Sequence, residues 1–177
     1  MKFSLIVFVL LFTTNVYAQK ISKDELNELT LDNFQINDCK IRWIKVFYIG
    51  FDSESIQTML LSKNISNITI VNDSTLIGQI DKASLIGTKC SYKDFAADPI
   101  SYKIKIDIKE GKYRVTVSDV CFHSKISNSI LTLEWYGLNK ECKFKSIYGF
   151  TKYLGKILEC YFTDTFTITE NDKTNNW

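Results

Sequence analysis

The sequence predicts an α+β domain, an antiparallel-rich sheet with two helices on one face, and three observations carry that reading. A β-branched and aromatic run, KIRWIKVFYI, begins at Lys40. Apolar and charged residues alternate from Tyr102 to Lys109, and the apolar places resume after Glu110 and Gly111 at Tyr113, Val115 and Val117. From Lys140 to about Tyr161 the apolar residues return at helical spacing.

The run from Lys40 is apolar on both faces, which predicts a strand in the interior of a sheet. Asp52 and Ser53 can cap a helix reaching about Lys63, with Ile56, Met59 and Leu60 on one face. Ile68–Val71 and Thr75–Ile80 are short strands around Asn72, Asp73 and Ser74, whose side chains favour a tight turn. Residues 81–100, with Gly87, Asp98 and Pro99, hold no period and read as a loop. In the long hairpin that follows, Tyr102, Ile104, Ile106 and Ile108 form a core face, leaving Lys103, Lys105, Asp107 and Lys109 on the other. Between Cys121 and Leu138, Leu131, Leu133 and Trp135 alternate within polar sequence, an irregular crossover. Phe144, Ile147, Phe150, Leu154, Ile157, Leu158 and Tyr161 then predict a helix, although Gly149 and Gly155 each weaken it by about 1 kcal/mol relative to alanine. The threonines among Phe162, Phe166 and Ile168 favour an edge strand after it.

Residues 1–18 read as a cleavable signal peptide: Lys2, an apolar run from Phe3 to Phe12, and Val16 and Ala18 before the cut. The run is about half the ~20 residues a spanning helix needs, so no membrane span is expected after cleavage. Residues 19–39 form an N-terminal extension in which Ser22 to Glu25 has the form of a capping box. The domain proper runs over 40–169, and 170–177 form a polar, flexible tail.

Lysine and arginine number 22 against 20 aspartates and glutamates, and losing Lys2 brings the mature chain closer to neutral. No basic stripe of the kind that holds phosphate backbones is present, which argues against a nucleic-acid partner. Five cysteines, Cys39, Cys90, Cys121, Cys142 and Cys160, permit disulfides in an exported protein and leave at least one thiol over. None has C-x-x-C spacing, so neither a redox motif nor a zinc site is indicated, and no cofactor is predicted. Asn64, Asn67 and Asn72 open N-x-S/T sequons, which a chain rich in these residues produces by chance.

The order strand, helix, four strands, crossover, helix, with the signal peptide, the glycine-bearing element at Ile77 to Ile80 and the string YKIKIDIKEGKYRVTVSDV from Tyr102 to Val120, resembles a family of exported bacterial proteins of unknown function. The family has a TBP-like fold, here β-α-β(4)-α with a curved sheet, and the likeness covers Lys40 to about Tyr161. The resemblance carries over no catalytic or binding residue. It implies no DNA binding either, because TATA-box-binding protein uses two such repeats and a basic concave sheet. The five cysteines depart from the family pattern.

In this topology a right-handed crossover makes the first two strands parallel and sets the first antiparallel to the fifth. Cys39 would then lie near Cys121, and a disulfide between them is the expected bridge. Cys121 and His123, the only histidine, could share a strand face, but a cysteine hydrolase needs a third group and a zinc site more ligands. A surface histidine beside a structural cysteine is the simpler reading. On the sheet face away from the helices, Lys105 and Arg114, joined by Trp43 from the first strand, form the candidate binding surface. Ordinary solvated charge explains the same pattern. The sequence thus favours a non-catalytic binding or interaction module of the periplasm or cell envelope, meeting an envelope protein or a small anionic or carbohydrate-like ligand. The alternative is a small exported enzyme, possibly a hydrolase, with a scattered site.

Overall fold

The computed structural model describes residues 30–63, 65, 67–86, 98–145 and 150–169. The expected signal peptide, the expected capping box, Cys90 and the C-terminal residues 170–177 lie outside the described residues. Thr30–Leu31 (β1), Phe34–Asn37 (β2) and Lys40–Tyr48 (β3) precede the helix Ser53–Ser62 (α1). Ile68–Asn72 (β4), Thr75–Ala83 (β5), Ile100–Lys109 (β6) and Lys112–His123 (β7) follow. Ile130–Thr132 (β8) leads into the short helix Leu133–Gly137 (α2), and a π-helical turn at Phe150–Leu154 runs into Gly155–Phe166 (α3).

The sheet has the order β1-β2-β3-β7-β6-β5-β4, with β8 paired to the far end of β7. Every pairing is antiparallel, which leaves β3 and β4 parallel to each other at a distance, as the crossover argument requires. The doubly apolar β3 is interior, flanked by β2 and β7. The sequence starts the domain at Lys40, but the sheet starts at Thr30, because Phe34 is fully buried and packs edge-on against Phe150. Asp52 caps α1 by accepting from Ser55 N, and Ile56, Met59 and Leu60 face the sheet. Gly111 turns β6 into β7 at φ +73°, the left-handed region in which glycine is unstrained.

The helices cover one face. The inward residues of β6 and β7 meet Leu158, Phe162 and Phe166 of α3, all fully buried and four residues apart. That spacing explains why α3 continues through Phe166 where the threonines favoured a strand: two aromatic rings enter the core only if the helix persists, and packing outweighs the weak local preference. At the other end the predicted helix from Lys140 is cut short, since Leu138 bridges to Phe144 as extended chain, and among the described residues the helical run begins at Phe150. The crossover likewise resolves into β8 and α2, where Thr132 caps α2 by accepting from Trp135 N. Gly137 lets α2 approach β3, since a Cβ there would lie 2.6 Å from Ile41 Cδ1.

The expected Cys39–Cys121 bridge is not formed. Cys39 is bonded to Cys142, with their Cα atoms 5.0 Å apart, and Cys121 is a free thiol. β3 pairs with β7 from Tyr48/Lys112 to Trp43/Val117. Beyond that, β7 bulges, with Asp119 at φ 52°, and Cys121 is set against Thr132 of β8 instead. Cys160 is also disulfide-bonded. Among the described residues no helix is long and apolar enough to cross a membrane.

Candidate functional site

Strict alternation on β6 and β7 sends Lys103, Lys105, Asp107 and Lys109, with Lys112, Arg114, Thr116 and Ser118, to the face the helices do not cover. The hairpin turn sets Lys109 opposite Lys112, and the register then places Asp107 opposite Arg114 and Lys105 opposite Thr116. Asp107 accepts from Arg114 Nη2 at 2.7 Å and from Lys105 Nζ at 2.8 Å. Partial burial works against its ionisation, but those hydrogen bonds and positive charges prevail and hold its carboxyl below the ordinary aspartate value. Lys103 pairs with Asp119 at 3.0 Å. Lys109 and Lys112 have no carboxylate partner among the described residues, and the Lys112 ammonium sits 5.9 Å from the centre of the Tyr48 ring.

Of the three residues assigned to this surface, Lys105 and Arg114 lie on it and Trp43 does not. Trp43 pairs with Val117 and shares its inward orientation; it is 1% exposed and packs against Phe162 at 5.3 Å between centroids. A strand apolar on both sides gives no sign of which parity faces the helices. The outward parity is Arg42, Ile44, Val46 and Tyr48, and Tyr48 is 79% exposed. A hollow of about 210 Å³ opens there, lined by Val46, Tyr48, Asp107, Lys109, Lys112 and Arg114 with Tyr113. The pairing of Asp107 with Arg114 could have been counted from the Glu110–Gly111 turn, whereas Tyr48 could not have been placed, because its neighbours depend on a pairing with β7 that is remote in sequence. Next along the sheet is a broader trough of about 490 Å³ bordered by Thr69, Ile77, Gln79, Lys103, Lys105, Thr116 and Ser118.

Trp43 belongs to a network on the helix side. Its indole Nε1 donates to Glu159 on α3 at 2.5 Å, and the same carboxylate accepts from Asn33 Nδ2 at 2.7 Å, Lys45 Nζ at 2.9 Å and Thr163 Oγ1 at 3.1 Å. Burial alone would raise the Glu159 pKa, but the hydrogen bonds from Trp43, Lys45 and Asn33 and the Lys45 charge outweigh it and hold the carboxyl below its ordinary value. The charge is satisfied on every side, so this cluster anchors α3 to β3 rather than waiting for a ligand.

Cys121 and His123 do share the outer face, but no hydrogen bond joins them among the described residues. His123 Nε2 lies 2.9 Å from Ser101 Oγ, and no carboxylate orients the other ring nitrogen among the described residues. Partial burial, with Glu134 and Asp119 nearby, pushes the Cys121 thiol up, opposite to what a nucleophile needs. Among the described residues no group of His, Cys, Asp or Glu is gathered for a metal ion.

No protein-family model matches the sequence, nor does any curated protein. Two solved structures are similar. A TBP-like protein from Parabacteroides distasonis superposes with a TM-score of 0.51 at 14% identity, over 79% of this chain and 96% of that one. A DUF4468 family protein from Bacteroides ovatus gives 0.49, also at 14% identity, over 81% and 96%. The first likeness shows that the chain has a TBP-like α+β fold.

Proposed function

We propose that the protein is an exported, non-catalytic binding module of the cell envelope, and that its ligand is anionic and sits on the outer sheet face around Tyr48 and Arg114. The observation that carries this is the charge of that face. Across β3, β6 and β7 the outward side chains include Arg42, Lys103, Lys105, Lys109, Lys112 and Arg114, while the carboxylates are Asp107 and Asp119. A near-neutral chain has thus concentrated its cations beside an exposed aromatic, where a partial hollow favours an anion by field and by contact. The signal-peptide pattern of residues 1–18 supports export, and the Cys39–Cys142 bridge fits an oxidising compartment.

The test has two parts. Fractionation with intact mass should find a mature chain beginning near Gln19 outside the cytoplasm. Amide shifts on titration with citrate, glucuronate and polyglutamate should map to the outward residues of β3, β6 and β7 for at least one of the three, and a Lys109→Glu, Lys112→Glu, Arg114→Glu variant should lose them. Shifts that gather elsewhere, or none with any probe, would reject the reading.

A further inference from the structure

We propose that the ligand of the Tyr48 hollow is one ring of an acidic saccharide chain, selected by Tyr48 and Asp107 together; this rests on the binding-module reading and narrows it. The decisive feature is a carboxylate in the middle of a basic site. A face built to hold a bare anion by charge gains nothing from Asp107, which repels the ligand and already pairs with Lys105 and Arg114. Clamped between those two cations, however, its oxygens are fixed in direction and keep lone pairs for further donors. The ligand groups that such an acceptor recognises are hydroxyls. Lys109 and Lys112, without carboxylate partners among the described residues, remain for the ligand's own charge, so the site fits a molecule carrying both hydroxyls and an anionic group.

Shape points the same way. Tyr48 offers an exposed ring edged by Val46, which is 41% exposed, and the apolar C–H face of a sugar ring packs on such a platform. A hollow of about 210 Å³ is smaller than a drug-sized pocket and suits a single ring. The trough beside it begins at the next outward-facing pair, Lys105 and Thr116, and is edged by Gln79 and Ser118. Amide and hydroxyl groups at that place are suited to the next sugars of a chain, so the geometry favours a polymer over a free monosaccharide.

Calorimetric titration of the mature chain with a tetrasaccharide of alternating glucuronate and N-acetylglucosamine, its carboxyl-reduced neutral form, and polyglutamate tests this. The acidic saccharide should bind, and its neutral form should bind at least tenfold more weakly. Tyr48→Ala should weaken binding about tenfold, and Asp107→Asn should weaken it by a similar factor, the loss of one charged hydrogen bond. The sign for Asp107→Asn discriminates: it removes a negative charge, so an anion held by charge alone would bind more tightly. Tighter binding in Asp107→Asn, or polyglutamate binding with no response to the saccharide, would overturn the saccharide assignment and leave the binding module standing. Failure of every anionic probe would overturn both. Thermal unfolding that leaves Tyr48→Ala and Asp107→Asn fully folded at the titration temperature keeps a folding defect from imitating the result.

Discussion

At the scale of single residues, Glu159 does the most to join helix to sheet. It gathers donors from the turn between β1 and β2, from β3 and from α3, and it is ionised in a half-buried place because those donors are there. A carboxyl whose folded pKa lies below its unfolded value contributes stability that is complete above the unfolded value of about 4.3 and is lost as pH falls through the folded one. Glu159→Gln should therefore cost about 1.5–3 kcal/mol at neutral pH, the range for hydrogen bonds to a charged group. In thermal unfolding across a pH series, the gap between wild type and variant should narrow on acidification. Asp107 shifts in the same direction, so some acid sensitivity should survive in the variant. A gap that stays constant with pH would show that Glu159 acts by shape and not by charge. This network was not legible in the sequence, since Trp43, Lys45 and Glu159 meet across more than a hundred residues, and no local pattern says which side of β3 meets a helix.

At the scale of elements, legibility follows the range of the contacts that decide each one. The β6–β7 hairpin was readable from its turn out to Lys103 and Ser118, because its period, its turn and its register there are all local. The N-cap at Asp52 and the β4–β5 turn at Asn72 were readable for the same reason. The bulge at Asp119 was not: its sequence is ordinary, and what it accomplishes is to release β7 from β3 and pass it to β8. The disulfide went astray on that one residue, because an unbulged β7 would carry Cys121 on toward Cys39. Cys39→Ser with Cys142→Ser should cost about 2–4 kcal/mol in urea unfolding, since the bridge spans a sequence separation of 103. Cys121→Ser, at a half-exposed free thiol, should change stability by less than about 0.5 kcal/mol. Equal losses from Cys121→Ser and the double variant would return the bridge to Cys39 and Cys121.

At the scale of the whole molecule, stability and the proposed recognition surface lie on opposite faces of the same three strands. β3, β7 and β6 turn their inward side chains to α1 and α3 and their outward ones to solvent, so the strands that hold the candidate ligand surface are also those most firmly held from behind. The sheet ends differ: β4 at one end carries Ile70 and Val71 at least half exposed, and β1 at the other is two residues long. Local opening is cheapest where few apolar contacts are lost, and in the centre it requires breaking the core. Native-state hydrogen exchange should accordingly place the amides of Tyr113 to Val117 at the global unfolding free energy, while those of β4 and β1 exchange through smaller openings. Ligand on the outer face should then slow the centre only by raising global stability, leaving β4 exchange nearly untouched. If instead β4 were protected to the same degree as β7, the sheet would open as one unit, and the division between a rigid recognition centre and yielding edges would be wrong.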